Sequence, residues 1–149
     1  MRYFSFAVLL VLGLTLSGCG DSNSSTGTVN GNWSAALSNP DGTPAFMFTT
    51  TLNQSSNSSS LTVTNFTFST TGGCFTGQTT QSGSFAFSGD FNGNVTGAFS
   101  MTISTVSAVP PNDVLTLQGT VNGGTISGNW TLTGQAGCSG SGTFSMTQM

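Results

Sequence analysis

The side chains that ordinarily carry acid–base chemistry are nearly all missing from this sequence, which has no histidine, no glutamate and one basic residue, Arg2. Its acids are Asp21, Asp41, Asp90 and Asp113. General acid–base catalysis near neutral pH uses His, a tuned Glu or Lys, and a nucleophilic Ser needs such a base beside it. A carboxylate pair is the one catalytic arrangement left, because glycoside hydrolysis needs two carboxyl groups at a defined separation. Asp21 falls in a Ser/Asn-rich stretch and Asp41 in the turn sequence Pro40-Asp41-Gly42, so only Asp90 with Asp113 could supply it. An Asp-based hydrolase is thus the last of three functional expectations, and it requires those two residues to meet in one cleft. The sequence otherwise predicts a protein that is not an enzyme, with no catalytic residue and no cofactor.

Metal binding fares little better. Two cysteines, Cys74 and Cys138, without histidine make a poor zinc set. Calcium at Asp41 or Asp113 would lack any recognisable ligand spacing, and no metal site is predicted. Charged residues make up 3% of the chain, against about 25% in an ordinary soluble domain. A surface without Lys or Arg cannot neutralise phosphates, so no nucleic-acid partner is expected. An anionic membrane face would repel it as well.

The first nineteen residues carry an address. Arg2 gives a short positive start, residues 7–16 an apolar run, and Ser17-Gly18 small residues just before Cys19. That is the three-part layout of a secretory signal, and the run is too short to cross a bilayer as a helix. The four residues Leu16-Ser17-Gly18-Cys19 resemble the lipobox of bacterial prolipoproteins. The resemblance implies cleavage before Cys19, a diacylglyceryl group on its thiol, and attachment to a membrane on the exported side of a bacterial cell envelope. Two or more acyl chains make such attachment stable, so the lipid bilayer is the expected partner through Cys19. Gly20 is not the aspartate that retains lipoproteins in the inner membrane in enterobacterial sorting, which favours the outer membrane if the cell is Gram-negative. The expected organisation is a signal peptide at 1–18, a lipidated cysteine and flexible Ser/Gly tether at 19–30, and a single β domain at 31–149. Residues 20–30 would reach roughly 18 Å as a random coil.

From Gly31 onward apolar residues recur at every second position, the period of a strand with one buried face. The segments are marked by Trp33, Ala35 and Leu37; by Phe46, Phe48 and Leu52; and by Leu61 and Val63, followed out of phase by Phe66 and Phe68. Then come Phe85, Phe87 and Phe91; Val95, Phe99, Met101 and Ile103; Leu115, Leu117 and Val121; Ile126, Trp130 and Leu132; and finally Phe144 and Met146. The change of phase in the third segment predicts a bulge near Asn65. Asn92-Gly93 and Asn122-Gly123 read as tight hairpin turns. Residues 89–104 parallel residues 119–134, and 73–74 with 82–85 echo 137–138 with 141–144, as duplicated hairpins would.

Successive hairpins with one apolar face must close on themselves or pack as two sheets. The predicted fold is therefore all-β, an eight-stranded antiparallel up-and-down barrel, with a flattened β-sandwich as the alternative. Gly31-Asn32-Trp33 resembles the Gly-x-Trp of calycins, the lipocalin and avidin superfamily, and implies the same barrel. The sequence departs from that pattern in two ways: it lacks the arginine that lipocalins set against the tryptophan, and Gly128-Asn129-Trp130 repeats the motif. Both tryptophans read as core residues.

If strands alternate in direction, the connections at 39–44, 70–82, 105–112 and 134–140 share one end, and they are the longer set. Binding sites favour long loops on a rigid frame, which makes Phe75, Pro110, Pro111 and Asp113 the candidate binding residues. With Cys19 lipidated, Cys74 and Cys138 are the pair left in an oxidising compartment, which predicts a disulfide. In a round barrel their loops lie across the mouth from each other, so the bond needs either the longer loop to fold across the opening or a flattened body. The expected function is a membrane-anchored envelope lipoprotein with a non-catalytic barrel in a structural or surface-interaction role. The alternative is a binding module at the long-loop end, whose partner would be a small apolar ligand, a glycan or an envelope protein.

Overall fold

The computed structural model describes residues 29–55, 58–69, 73–91, 94–106 and 110–149; the expected signal peptide, Cys19 and Asn92-Gly93 lie outside them. Eight strands follow one another as antiparallel neighbours: β1 (Gly31–Ser38), β2 (Pro44–Gln54), β3 (Ser60–Ser69), β4 (Thr79–Phe91), β5 (Asn94–Thr105), β6 (Val114–Asn122), β7 (Thr125–Thr133) and β8 (Gly140–Gln148). β8 returns to pair with β1, so the sheet is a closed barrel and not a sandwich. One turn of 3-10 helix, Gly73–Phe75, interrupts the β3–β4 connection.

Alternation sets the two faces. Trp33, Ala35, Phe48, Leu52, Phe85, Met101, Ile103, Leu115, Leu117, Ile126 and Met146 are fully buried and fill the interior. Most of the Ser, Thr and Asn between them face outward; Thr50, buried between Phe48 and Leu52, is an exception, its hydroxyl donating to the Thr64 carbonyl at 3.0 Å. A ring as large as Phe85 fits because a glycine faces it: a Cβ on Gly97 would lie 2.5 Å from that ring and 2.3 Å from the Ala86 carbonyl oxygen.

Three register shifts modulate the alternation: one at the end of β1, where Leu37 pairs with Phe46 and Ser38 with Pro44, and two inside longer strands. At Asn65, whose φ is 52°, Asn65 and Phe66 together stand opposite Thr50. Asn visits this left-handed region more readily than other residues with a side chain, Asp apart. The bulge near Asn65 is the one the phase change predicts, and it brings Phe66 to 5.0 Å from Phe48 and Phe68 to 5.1 Å from Phe46. The second is a correction: Phe87 pairs with Gly97 and Gly89 with Thr96, so Ser88 is an extra residue and Phe91 does not continue the phase of Phe85 and Phe87. The β6–β7 turn also differs from expectation. Asn122 pairs with Thr125, leaving Gly123, at φ 60°, and Gly124 as the turn residues. Counted from their turns, Val95, Gly97, Phe99 and Met101 therefore match Ile126, Gly128, Trp130 and Leu132, one residue further along than the sequence repeat suggests.

Val29 and Asn30, inside the stretch assigned to the tether, belong to the folded body. Val29 is buried, and its carbonyl accepts the Trp33 indole N–H at 2.9 Å. Asn30 is held as well, since its carbonyl accepts a hydrogen bond from the Gln148 amide at 2.9 Å and its side-chain oxygen accepts one from the Gln54 backbone N–H.

Strand stagger explains the weakest seam. Stepping across paired residues from Phe87 through Gly97, Val121, Ile126, Met146, Ala35 and Phe48 to Phe68 returns to the level of β4 about ten residues before Phe87, which requires strands tilted by roughly 40°. β3 and β4 share only Ser60↔Ser84 and Leu61↔Gly83, whereas β5 and β6 pair from Thr96 to Ser104. Beyond Leu61 the Asn65 bulge carries β3 along with β2, and residues 62–68 and 79–82 face each other without a ladder. Backbone amides turned toward this seam are expected to exchange with solvent about a hundredfold faster than those of β5, β6 and β7. Residue-resolved hydrogen exchange checks this, and uniform protection around the barrel would contradict it.

Candidate functional site

The long-loop end consists of the connections 39–43, 70–78, 106–113 and 134–139. The first is a self-contained turn. The Asn39 N–H donates to the Thr43 carbonyl and the Gly42 N–H to the Asn39 carbonyl, each at 2.9 Å, with Gly42 at φ 83°. The Asp41 carboxylate accepts the Thr43 hydroxyl at 2.6 Å and the Thr43 backbone N–H at 3.0 Å. Hydrogen bonds to the charged form favour it. The hydroxyl first and the N–H second hold the Asp41 carboxyl below its ordinary value of 3.8.

The other three connections are fastened into a lid. Cys74 and Cys138 form the predicted disulfide, with Sγ atoms 2.10 Å and Cα atoms 5.6 Å apart, across a sequence separation of 64. The bond joins the β3–β4 connection to the β7–β8 connection at one end of the closed barrel. The Val106 backbone N–H donates to the Gln78 carbonyl at 2.8 Å, joining the β5–β6 and β3–β4 connections. Asp113, 5% exposed, joins β5–β6 to β7–β8: its Oδ1 accepts the Gln135 backbone N–H at 2.8 Å. The backbone of Asp113 is itself fixed to Thr105, its carbonyl accepting the Thr105 N–H at 2.9 Å and its N–H donating to the Thr105 hydroxyl at 2.9 Å. The approach to the β7–β8 loop leaves no room for a side chain, since a Cβ on Gly134 would sit 2.0 Å from Asp113 Oδ1.

An aromatic layer fills the mouth beneath the lid. Phe75 stacks on Phe68 at 4.7 Å, Phe68 meets Phe46 at 5.1 Å, and Phe46 meets the edge of Trp130 at 5.0 Å. The Trp130 indole N–H donates to the Ser38 carbonyl at 2.9 Å, so the layer also ties β7 to the end of β1. Of the four candidate binding residues, Phe75 belongs to this layer and Asp113 to the lid's hydrogen bonds. Pro110 and Pro111, joined by a cis peptide bond, are exposed on it. The aromatic layer and the Asp113–Gln135 tie are the features sequence reasoning missed. Alternation marks each ring as inward, but no local pattern says which rings meet across the mouth.

The two aspartates required for a hydrolase do not meet. Asp90 pairs with Val95 beside the β4–β5 turn, while Asp113 precedes β6 at the opposite end of the barrel. Among the described residues no group of three or more His, Cys, Asp or Glu is placed to hold a metal ion. The fold and site define a small closed antiparallel barrel with a filled interior and a disulfide-fastened lid. Comparison with protein-family models, with curated proteins and with solved structures finds no match.

Two outcomes follow from the lid. Replacing both Cys74 and Cys138 by Ser should lower the unfolding free energy by about 4 kcal/mol, the entropy of closing a loop of this length. Denaturant unfolding measures it, and a loss below about 1 kcal/mol would mean that the aromatic layer and the loop bonds hold the lid unaided. For Asp41, whose folded carboxyl is more acidic than the unfolded one, the turn's stabilisation is present above pH 3.8 and is lost as pH falls through the lower folded value. An NMR titration should place the Asp41 midpoint below 3.8 and show Thr43→Ala moving it upward. A wild-type midpoint at or above 3.8 would contradict the hydrogen-bond assignment.

Proposed function

We propose that this chain is a lipid-anchored protein of the bacterial cell envelope, exported and held through Cys19, whose barrel serves a structural or surface-interaction role without catalysis. The observation that carries the non-catalytic part is the filled barrel: Trp33, Phe48, Phe85, Met101 and Leu117 occupy the interior and the Trp130–Phe46–Phe68–Phe75 layer occupies the mouth. Apolar ligand sites are preformed cavities of several hundred cubic ångströms, and side chains fill the space where a carrier would hold its ligand. The separation of Asp90 from Asp113 supports the same reading against a hydrolase. The anchor rests on Leu16-Ser17-Gly18-Cys19 at the end of a short apolar run. In a Gram-negative cell Gly20 favours the outer membrane. Kinship with the calycins belongs to the same proposal, supported by the up-and-down topology and by Trp33 at the start of β1.

A second reading has one observation in its favour. Pro110 and Pro111 are exposed in a connection tied to its neighbours by the Val106–Gln78 and Asp113–Gln135 hydrogen bonds, which suits a contact surface for a glycan or another envelope protein.

The anchor is tested by mass spectrometry of the membrane-extracted protein. The expected species begins at Cys19, carries two or more acyl chains and contains an oxidised Cys74–Cys138 pair. Cys19→Ser should remove the acyl mass and release the protein from membranes. A Cys19→Ser protein that is processed and retained like the parent would overturn the anchored reading.

A further inference from the structure

Of the exposed large apolar side chains among the described residues, Phe87 and Met149 lie at the end of the barrel opposite the lid, with Met47 and Val106 elsewhere. The described chain begins at Val29 and Asn30, and Asn30 is hydrogen-bonded on both sides, to Gln54 at the end of β2 and to Gln148 at the end of β8. Beyond Gln148, the Met149 N–H donates to the Asn32 carbonyl and its side chain is 69% exposed. Beyond Gln54 lies β4. The Gln54 amide donates to the Phe85 carbonyl at 3.2 Å, and the Phe85 N–H donates to the Ser59 carbonyl at 2.7 Å, which sets Phe85 level with the barrel floor. Strand β4 runs on past that level. Phe87 shares the inward face with Phe85, their ring centroids 6.5 Å apart, but the β2–β3 wall has ended there and Phe87 is 49% exposed.

Lengths on the two sides agree. The run of β4 from Phe85 to Phe91 extends about 20 Å along the strand, or about 15 Å below the floor at a tilt near 40°. Nine residues, 20–28, separate Cys19 from Val29, a length over which a flexible linker would reach about 16 Å. A bilayer holding the acyl chains of Cys19 therefore lies within reach of the projecting β4–β5 hairpin. No Lys or Arg occurs after Arg2 to seek anionic headgroups, so the contact is apolar and suits a zwitterionic phospholipid surface.

We propose that this end, through Phe87 and Met149, rests on the phospholipid surface to which Cys19 is anchored, so that the barrel stands with its lid facing away. The inference rests on the anchored reading and deepens it by giving the domain a fixed orientation. Its test uses the acylated full-length chain in phosphatidylcholine vesicles whose acyl chains carry bromine, a contact quencher of tryptophan. Phe87→Trp, Met149→Trp and, at the lid end, Val106→Trp, a position 57% exposed, are compared with the parent, whose Trp33 and Trp130 are buried. The expected result is strong quenching at 87 and 149 and none at 106. In the parent, Phe87→Ser should raise the rate at which an added protease cuts residues 20–28 by about fivefold, the equilibrium value of half a phenylalanine's burial. Vesicles that float with the protein while the tryptophan at 87 stays bright, or equal quenching at all three positions, would overturn the oriented contact alone. Protein that fails to float would overturn the anchor and the contact together.

Discussion

Closure of β8 onto β1 is the contact on which the rest of the structure depends. Six residue pairs join the strands, from Trp33↔Gln148 to Ser38↔Thr143. An open sheet leaves unpaired N–H and C=O groups, and natural proteins guard such edges with charged residues, lysine above all. This chain has none to spare, so pairing its last strand with its first is the means left of protecting an edge. The two tryptophans secure that joint at both ends of β1, one indole on the Val29 carbonyl and the other on the Ser38 carbonyl. Close approach there depends on Gly142: a Cβ at that position would stand 1.9 Å from the Ser38 oxygen and 2.8 Å from the Trp130 nitrogen.

Closing the barrel with strongly tilted strands has a cost at one seam. A stagger of about ten residues must be absorbed around eight strands, and where β3 bends away at Asn65 the ladder to β4 stops after two pairs. The connection that leaves β3 then does what the ladder does not. It carries Cys74 to Cys138 and sets Phe75 on Phe68, joining the upper end of β3 to the opposite side of the barrel. The lid is thus a structural answer to the seam. That accounts for Phe75 and Asp113, two of the residues whose loop position suggests binding, without calling on a ligand.

Much of this architecture was legible because a strand writes its period locally. Alternation marks eight segments, and the slip from Val63 to Phe66 reveals the Asn65 bulge because apolar residues stand on both sides of it. The Ser88 bulge left no such trace: Phe85, Phe87 and Phe91 are spaced by even numbers, and an inserted residue between them changes the face without breaking the visible pattern. The β6–β7 turn was misplaced for a related reason. Asn122-Gly123-Gly124 offers two overlapping pairs of turn residues, and cross-strand pairing chose the second. At the candidate site the sequence could name residue types but not partners. The disulfide followed from eliminating the third cysteine, whereas the contact of Asp113 with Gln135 spans 22 residues and carries no periodic signal.

The near absence of charge also decides how the outer surface is held. Where most barrels would place cross-strand ion pairs, this one uses hydroxyls and amides: Thr51 donates to Asn32 at 2.8 Å, Asn65 donates to Thr51 at 3.2 Å, and Ser88 and Thr96 face each other at 3.4 Å. Neutral pairs of this kind stabilise neighbouring strands by a few tenths of a kcal/mol to about 1 kcal/mol each, much as exposed ion pairs do. The difference is in what disturbs them. Salt screens exposed ion pairs within a Debye length of roughly 10 Å, but no Lys, Arg or His stands anywhere after Arg2, so side-chain ion pairs are not part of what holds the barrel together. A fold kept by closure, a filled interior, a disulfide and uncharged hydrogen bonds keeps nearly the same stability as ionic strength changes around it. Under the proposed anchoring in the cell envelope, such a domain would keep its stability in surroundings of varying ionic strength.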